Sequence, residues 1–420
     1  MTTNGQREQV WINGARSATG PQQSEDLSFT IRGRRIHRMG HRADPAQNHA
    51  SSPLQIDLTG FLLLPGLINA HDHLEFALFP RLASRVYRNY VEWGEDIHAK
   101  YPGVIAAHRA VPKKVRVWWG AIRNLLSGVT TVSHHNPLHP EMLRDDFPVR
   151  VVRNYGWAHS PALGGDLRRA RAETPEGAPF ILHVCEGTDD LARQELWELA
   201  RMQLLDEQAV LVHGLALDRP SVTHLNNRGS SLIVCPSSNR FLFGALPDLS
   251  LLSSIGNLAL GNDSPLTAAG DLLDEIRFAA EFCNLAPDIA WRMVTTAPAT
   301  VLRLSQGEGH LQEGGVADFI AVKDSGQRPG ERLATLDAHD VELVMIGGCV
   351  QLVSESMLGR LPPSMRHGLE GLCVDGGIRW LRAPVADLLR HAEDVLVASQ
   401  LRLGSRTISA SPCTAGDHAL

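Results

Sequence analysis

Four short apolar runs in this chain lead into residues that can bind a metal or move a proton. Gly66–Ala70 runs into His71-Asp72-His73. Phe180–Val184 carries His183, and Glu186 follows three residues on. Ala209–Val212 ends in His213, and Asn257–Leu260 runs into Gly261-Asn262-Asp263. Imidazoles and carboxylates are ligands that suit Zn²⁺, and they are also the side chains most used for proton transfer near neutral pH. On a strand, residues i and i+2 share a face, so His71 and His73 can aim at one point. An isolated His-x-His carries little weight among 19 histidines, and His37, His98, His108, His224, His310 and His391 read as ordinary surface or hydrogen-bonded residues. Order and spacing carry the argument instead. His183 to His213 is 30 residues, about one strand–helix unit. His213 to Asp263 is 50, room for two short units with Ser231–Cys235 as the strand between. His73 to His183 is 110, room for three or four.

Such residues need strands that present their C-terminal ends on one side of a sheet. The middle of the chain supplies them. Beside the four runs above, Gly128–Ser133, Val149–Val152 and Ser231–Cys235 are apolar enough to be buried on both faces. Helix candidates alternate with them: Lys114–Leu126, Leu191–Leu205, Leu272–Phe282 and Asp288–Leu304. Alternating strands and helices make a parallel sheet, and this many units predicts an α/β fold with a (β/α)8 TIM-type barrel, whose active site lies at the C-terminal ends of the strands. The candidate residues then fall near strands one, five, six and eight. Strand four is expected to be abbreviated or missing, because only 22 residues take the chain from Ser160 to Leu182 and they include a Pro/Gly-rich loop.

Both chain ends have a different texture, with short strands punctuated by turn residues. Gln9–Ile12 before Asn13-Gly14 reads as a hairpin start, as do Leu27–Ile31 and Arg35–Met39 across Gly33, and Gln55–Leu58 before Thr59-Gly60. Similar pieces return at Asp318–Val322, Val341–Ile346, Val350–Val353 and Leu372–Trp380. The expected organisation is a composite β-sandwich domain of residues 1–62 and 309–383, a catalytic barrel of 63–308, and a C-terminal segment of 384–420. That segment reads as an amphipathic helix over about Val385–Ala398 and a disordered Ser/Thr/Ala-rich tail from Ser399.

Composition narrows the function class. The chain has 420 residues, is 43% apolar and carries a net charge of −6, so there is no basic footprint for nucleic acid or anionic membrane. Six scattered cysteines form no CxxC pair, which argues against a disulfide scaffold or a thiolate zinc site. Residues 1–9 are polar and unlike a signal peptide, and no window reaches the length of a membrane span. A cytoplasmic enzyme is the default expectation.

The motifs together resemble the amidohydrolase superfamily, in particular its cytosine deaminase and triazine hydrolase branch. The matching text is Leu64-Pro65-Gly66-Leu67-Ile68-Asn69-Ala70-His71-Asp72-His73, Gly128-Val129-Thr130-Thr131-Val132, His183-Val184-Cys185-Glu186-Gly187, Leu211-Val212-His213-Gly214, Cys235-Pro236-Ser237-Ser238-Asn239, Leu260-Gly261-Asn262-Asp263-Ser264, Thr295-Thr296-Ala297-Pro298-Ala299 and Gly314-Gly315-Val316-Ala317-Asp318. The resemblance implies a (β/α)8 barrel with a β-sandwich built from both ends. It implies His71, His73, His183 and Asp263 as metal ligands, Glu186 as the proton shuttle, and His213 as the residue that orients the attacking water and polarises the substrate. Three imidazoles and a carboxylate suit Zn²⁺, with Fe²⁺ as second choice. Relatives with two metals bridge them through a carboxylated Lys or a Glu at the fourth strand. Here the four lysines are Lys100, Lys113, Lys114 and Lys323, none of which falls at that strand, so one metal per chain is expected.

The substrate pocket is read from the residues at and just past the strand ends: Glu75 and Phe76 after the first, His134 and His135 ending the second, Trp157 and His159 ending the third, and Asn239, Arg240, Phe241 and Phe243 after the seventh. Aromatic walls with a few polar anchors suit a flat nitrogen heterocycle. The expected function is metal-dependent hydrolysis of a C–N bond, foremost the deamination of a heterocycle or related amidine. Ring opening of a cyclic amide or loss of another leaving group is the alternative, and a non-catalytic binding protein the remote one. The expected partner is a small-molecule substrate, with a homodimer left open.

Overall fold

The computed structural model describes residues 9–41, 54–268, 270–397 and 401–411. Its centre is eight parallel strands in sequence order: β1 (Leu67–Asp72), β2 (Val129–His134), β3 (Arg150–Val151), β4 (Gly156–Trp157), β5 (Phe180–Val184), β6 (Ala209–His213), β7 (Ser231–Val234) and β8 (Leu258–Leu260). β1, β2 and β3 form one sheet and β4 to β8 another. The end of β8 lies against β1, where the N–H groups of Asn262 and Asp263 donate to the His71 carbonyl at 3.2 and 3.0 Å. Gly261 permits this approach, since a Cβ there would sit 2.6 Å from that of His71.

These strands are apolar on both faces because each face has its own core. Ile68, Ala70, Ile181, Val210, Val212 and Ile233 meet one another in one cluster. Leu182, Leu211 and Leu232 belong to a larger cluster that includes the helices' apolar faces. Of the two expectations for the fourth strand, abbreviated or missing, the first holds: Gly156–Trp157 pairs with Phe180–Ile181 over two residues. Trp157 therefore belongs to the fourth strand, not to the end of the third, which is Arg150–Val151.

The long connection between β1 and β2 holds three helices, α1 (Tyr90–Lys100), α2 (Pro102–Ala110) and α3 (Lys113–Leu126). α3 is buried along almost its whole length, and its Gly120 presses on the backbone of Leu74, where a Cβ would come within 2.3 Å of the Leu74 carbonyl oxygen. The single helix expected over Asp288–Leu304 is two, Pro287–Val294 and Thr296–Val301. Pro298 is the cause: it has no N–H, and its ring would clash with the carbonyl four residues back.

Strands from both chain ends share a ten-stranded sheet. Phe61–Pro65 lies between Arg16–Ala18 and Phe319–Lys323, and pairs antiparallel with the latter over five residues. A four-stranded sheet of Arg35–Gly40, Ser28–Arg32, Gln9–Asn13 and Leu54–Asp57 shares an apolar core with it, which includes Ile12, Phe29 and Ile56 with Phe319, Leu343 and Trp380. Phe29 and Phe319 meet edge to face at 5.5 Å.

Two turn readings need correction. Gln9–Asn13 forms no hairpin with Arg16–Ala18, because the latter crosses into the larger sheet; Gln9–Asn13 pairs instead with Ser28–Arg32 and runs parallel to Leu54–Asp57. Leu54–Asp57 likewise forms no hairpin with Phe61–Pro65. The hairpin of Ser28–Arg32 with Arg35–Gly40 does form. The C-terminal expectation also changes. The helix spans Val385–Glu393, and residues 401–411 are ordered rather than disordered: Arg402–Leu403 and Arg406–Ala410 form a hairpin that extends the large sheet through Glu370–Val374. Leu401, Leu403 and Ile408 are buried there, and the buried Arg406 guanidinium pairs with Asp271 and Asp337. Residues 398–400 and 412–420 of the expected helix end and tail lie outside the described residues. Among the described residues no helix is long and apolar enough to cross a membrane.

Candidate metal centre and active site

Parallel strands deliver their C-terminal residues to one end, but three local features aim the side chains. The first is a break in the β1–β2 register, where Asn69 pairs with Val132 but Asp72 pairs with His134. Three residues on β1 advance against two on β2, as in a β-bulge. Strict alternation would send His71 to the same side as Asn69, which faces α3 and donates to the Asn124 side chain at 2.9 Å. With the extra residue, Asp72 turns to α3 and His71 and His73 turn to the interior. The second feature is left-handed backbone. Cys185, His213 and Asp263 have φ of 56, 76 and 59°. Such angles cost a non-glycine residue free energy and gather at functional sites. Each lies at a strand end, beside or at a candidate residue.

The third feature is a set of buried hydrogen bonds behind the candidates. Arg123 of α3 donates to Asp72 Oδ2 at 2.7 Å and to the Asp263 carbonyl at 2.8 Å, so one buried guanidinium ties the ends of β1 and β8. Asp263 Oδ2 accepts from Ser238 and Thr267 at 2.8 and 2.9 Å. The His213 Nδ1–H donates to Asn239 Oδ1 at 3.0 Å. Ser238 and Asn239 sit on the helix Pro236–Phe243, whose Ser237 N–H donates at 2.8 Å to the buried Glu275.

The six candidates converge as a result. Asp263 Oδ1 lies 3.7 Å from His71 Nε2 and 3.6 Å from His73 Nε2. His183 Nε2 is 3.2 Å from His71 Nε2. Two groups of potential ligand atoms share His71, namely His71, His183 and His213, and His71, His73 and Asp263; within each the atoms lie no more than 4.8 Å apart. His213 Nε2 stands 3.6 Å from Glu186 Oε1. The His183 Nδ1–H donates to the His159 carbonyl at 2.7 Å, which leaves Nε2 as the lone-pair nitrogen of the neutral ring.

Electrostatics agree with metal-ready imidazoles. Burial first, then neighbouring histidines, hold His71 and His183 well below the ordinary histidine range, so both are neutral. Burial opposes ionisation of Asp263, but His73 and His213 and the Ser238 and Thr267 hydroxyls outweigh it, and its carboxyl stays below the usual range. Glu186 goes the other way: burial, with the Asp263 and Glu195 carboxylates nearby, raises it well above the normal carboxyl range. One buried carboxylate thus holds charge while its neighbour favours a proton.

A cavity of about 230 Å³ opens above this cluster. His73, His183, Glu186, His213 and Asp263 form its floor, and Phe76 and His159, both expected at the pocket, line it. The other pocket candidates do not. Glu75 accepts from Asn136 at 3.0 Å and lies 3.3 Å from Lys113. Of the adjacent histidines, His134 faces Glu75, and His135 packs 4.2 Å from the His183 ring and donates from Nε2 to the Ala158 carbonyl. Trp157 packs on His135, Asn239 serves His213, Arg240 is exposed and donates to the Gly244 carbonyl, and Phe241 lies under Arg81. Phe243 is buried with Tyr87, Tyr90 and Leu242. The walls come instead from the β1–β2 connection, through Phe79, Tyr90, Trp93, Ile97 and Ile105, which sequence reading missed. A signal was present: the 39-residue stretch from Leu74 to Pro112 is long for a loop and rich in aromatic residues.

Residues 158–350, which contain four of the six converging side chains, match the model of the Amidohydrolase family. That stretch of the chain is similar to the amidohydrolase family. Among curated proteins the chain is similar to a 5-methylthioadenosine/S-adenosylhomocysteine deaminase of Thermococcus sibiricus, 23% identical with 77% of this chain and 89% of that protein covered. It is similar to the same extent, 23% over 78% of this chain and 89% of the relative, to an 8-oxoguanine deaminase of Pseudomonas aeruginosa. Among solved structures it resembles an adenosine deaminase from Xanthomonas campestris with bound zinc (TM-score 0.65, 18% identity, 92% and 97% covered) and an atrazine chlorohydrolase from Arthrobacter aurescens complexed with zinc (TM-score 0.66, 17%, 92% and 99%). At these identities the likeness is one of fold, and it runs nearly end to end.

Proposed function

We propose that this chain hydrolyses a C–N bond of a nitrogen heterocycle or related amidine, releasing an exocyclic amino group as ammonia, with one Zn²⁺ per chain held by His71, His73, His183 and Asp263. The observation that carries the reading is the meeting, at and beneath one cavity floor, of an imidazole–carboxylate donor set with the Glu186–His213 pair. The donor set suits the ion in its chemistry, three imidazoles and a carboxylate. A tetrahedron with bonds of about 2.0–2.1 Å has edges of about 3.3 Å; the His71–His183, His73–Asp263 and His71–Asp263 separations of 3.2, 3.6 and 3.7 Å are near that value, while His183 groups with His71 and His213 and stands apart from His73 and Asp263. The His183 Nδ1–H to carbonyl bond is the outer contact that a ligating imidazole needs. Bound there, Zn²⁺ would supply Lewis acidity, lowering the pKa of a water toward about 7.

The chain's own groups do the rest. His213, its Nδ1–H committed to Asn239, offers Nε2 as acceptor and orients the attacking water. Glu186 takes a proton from that water at a carboxylate oxygen, holds it in a buried setting that favours the protonated form, and delivers it to the leaving nitrogen. A C–O bond forms, the C–N bond breaks, and the amine departs neutral. The names of the curated relatives, deaminases of a purine nucleoside and of a purine base, support this class of reaction.

The same reading closes the two parallel sheets into one eight-stranded barrel through the β8–β1 contacts, with 63–308 as the catalytic unit, 1–62 and 309–383 as its β-sandwich companion, and 384–420 as an extension. The test is a screen of zinc-loaded protein against purines, pyrimidines, triazines and guanidino compounds for ammonia. Hydrolysis products without ammonia would replace deamination by ring opening. Titration of metal-free protein should saturate near one equivalent of Zn²⁺; two equivalents of equal affinity would overturn the single-metal assignment.

A further inference from the structure

The helices between β1 and β2 roof the cavity, and the roof is tied to the catalytic floor. The Tyr90 N–H donates to the Glu186 carbonyl at 3.3 Å, the Thr188 N–H to the Arg88 carbonyl at 2.8 Å, and the Leu82 N–H to the Leu266 carbonyl at 3.0 Å. The inner surface so formed is apolar: Phe76, Phe79, Trp93, Ile97, Ile105 and Leu266, with the exposed Leu163 at the edge. Its polar atoms are already engaged. The Trp93 Nε1–H donates to the Leu82 carbonyl, the Tyr90 hydroxyl to Glu195, and the Thr267 hydroxyl to Asp263. Among the described residues the carboxylates on the lining are Glu186 and Asp263, both assigned to the reaction centre, and no amide side chain lines it. A sugar placed here would surrender the hydration of several hydroxyls and find the buried Ser264 and the half-buried His159 as its side-chain partners, with His98 and Arg109 at the exposed rim. Unpaired buried hydroxyls are costly, whereas apolar atoms gain from leaving water.

We infer that the substrate is a nitrogen heterocycle carrying an apolar alkyl or aryl substituent, seated against Trp93, Ile97 and Ile105, rather than a nucleoside. The inference rests on the proposed function for the position of the reacting ring, and on the roof for the substituent. Each methylene buried there should strengthen binding by about fourfold until the cavity is filled.

The experiment measures calorimetric affinity and ammonia release for zinc-loaded full-length protein with matched ligands on two cores. These are adenine bearing butyl, benzyl or ribosyl at N9, and diaminotriazine bearing butyl, benzyl or ribosyl on the ring. The expected result is at least tenfold tighter binding of the butyl and benzyl compounds than of the ribosyl ones. Leu163→Asp, an exposed edge position that tolerates charge, and Ile97→Asn should each weaken the benzyl ligands by tenfold or more without loss of zinc. Ribosyl ligands binding as tightly as the apolar ones, no measurable binding of any apolar ligand, or benzyl affinity unchanged in both variants would overturn the inference. The two readings separate cleanly: apolar ligands that bind but release no ammonia sink deamination and keep the roof assignment, and ammonia from the ribosyl compounds with no apolar preference does the reverse.

Discussion

Two regions of the molecule bury opposite kinds of atoms. At the C-terminal ends of the parallel strands, His71, His73, His183, Glu186, His213 and Asp263 are all buried and face one another. Between the two sheets built from the chain ends, the shared core is apolar, with Ile12, Phe29, Ile31 and Ile56 against Phe319, Leu343 and Met345. The second region gains stability from its contacts directly. The first does not: its buried imidazoles lose hydration and gain no apolar contact equal to it. It persists because Arg123, Asn239, Ser238 and Thr267 hold the groups in place and because a bound cation would turn the desolvated lone pairs into ligands. Substitutions in the two regions should therefore fail in different ways, one in chemistry and the other in folding.

The largest effect expected is at the donor set. His183→Ala should lose both zinc, by elemental analysis, and turnover on any substrate found; a variant that keeps a full equivalent would remove His183 from the centre. Glu186→Gln should keep its zinc and lose about 10²–10⁴-fold in kcat, because the amide has the right shape but cannot take the proton. In the other region, Phe319→Ala should cost about 3–5 kcal/mol of stability by denaturant unfolding, with zinc affinity of the folded fraction unchanged. Zinc loss in that variant would show that the two regions are not independent.

The smallest effect crosses the comparison. Glu275 is buried behind the helix that carries Ser238 and Asn239, and burial, with charge from Asp263 and Asp274 outweighing the Ser237 hydrogen bonds, pushes its carboxyl up to about 8. A carboxyl whose folded pKa is raised binds its proton more tightly when folded. Its contribution is therefore greatest below the unfolded value near 4.5 and is lost as pH rises towards about 8. Stability should fall across that window by at most about 1.4 kcal/mol per pH unit from this group, and Glu275→Gln should flatten the slope. An unchanged slope would assign the pH dependence elsewhere.

Much of this molecule is legible from type and spacing alone. Apolar runs such as Phe180–Val184 and Ala209–Val212 are short, β-branched and bounded by turns, so they can be little else than buried strands. Their order, with a histidine or aspartate at each end, suffices to predict that His71, His73, His183, His213 and Asp263 share one end of a parallel sheet. Even the two-residue fourth strand is foreshadowed by the short, Pro- and Gly-containing stretch between Ser160 and Leu182.

Tertiary structure decided the rest, because it depends on contacts between distant residues. Alternation on β1 cannot say which face His71 takes; the bulge opposite Val132 and His134 settles that, and it exists only because β2 is beside it. The left-handed turns at His213 and Asp263 are unfavourable locally and are held by packing that no local pattern records. The cavity walls are the clearest case. Phe241 lies just past a strand and so looks like a pocket residue, yet Trp93 and Ile97, which sit in a helix far from any strand end, form the roof. Strand position determines which residues can reach a common floor, and the path of the connecting chain over that floor determines what the site can hold.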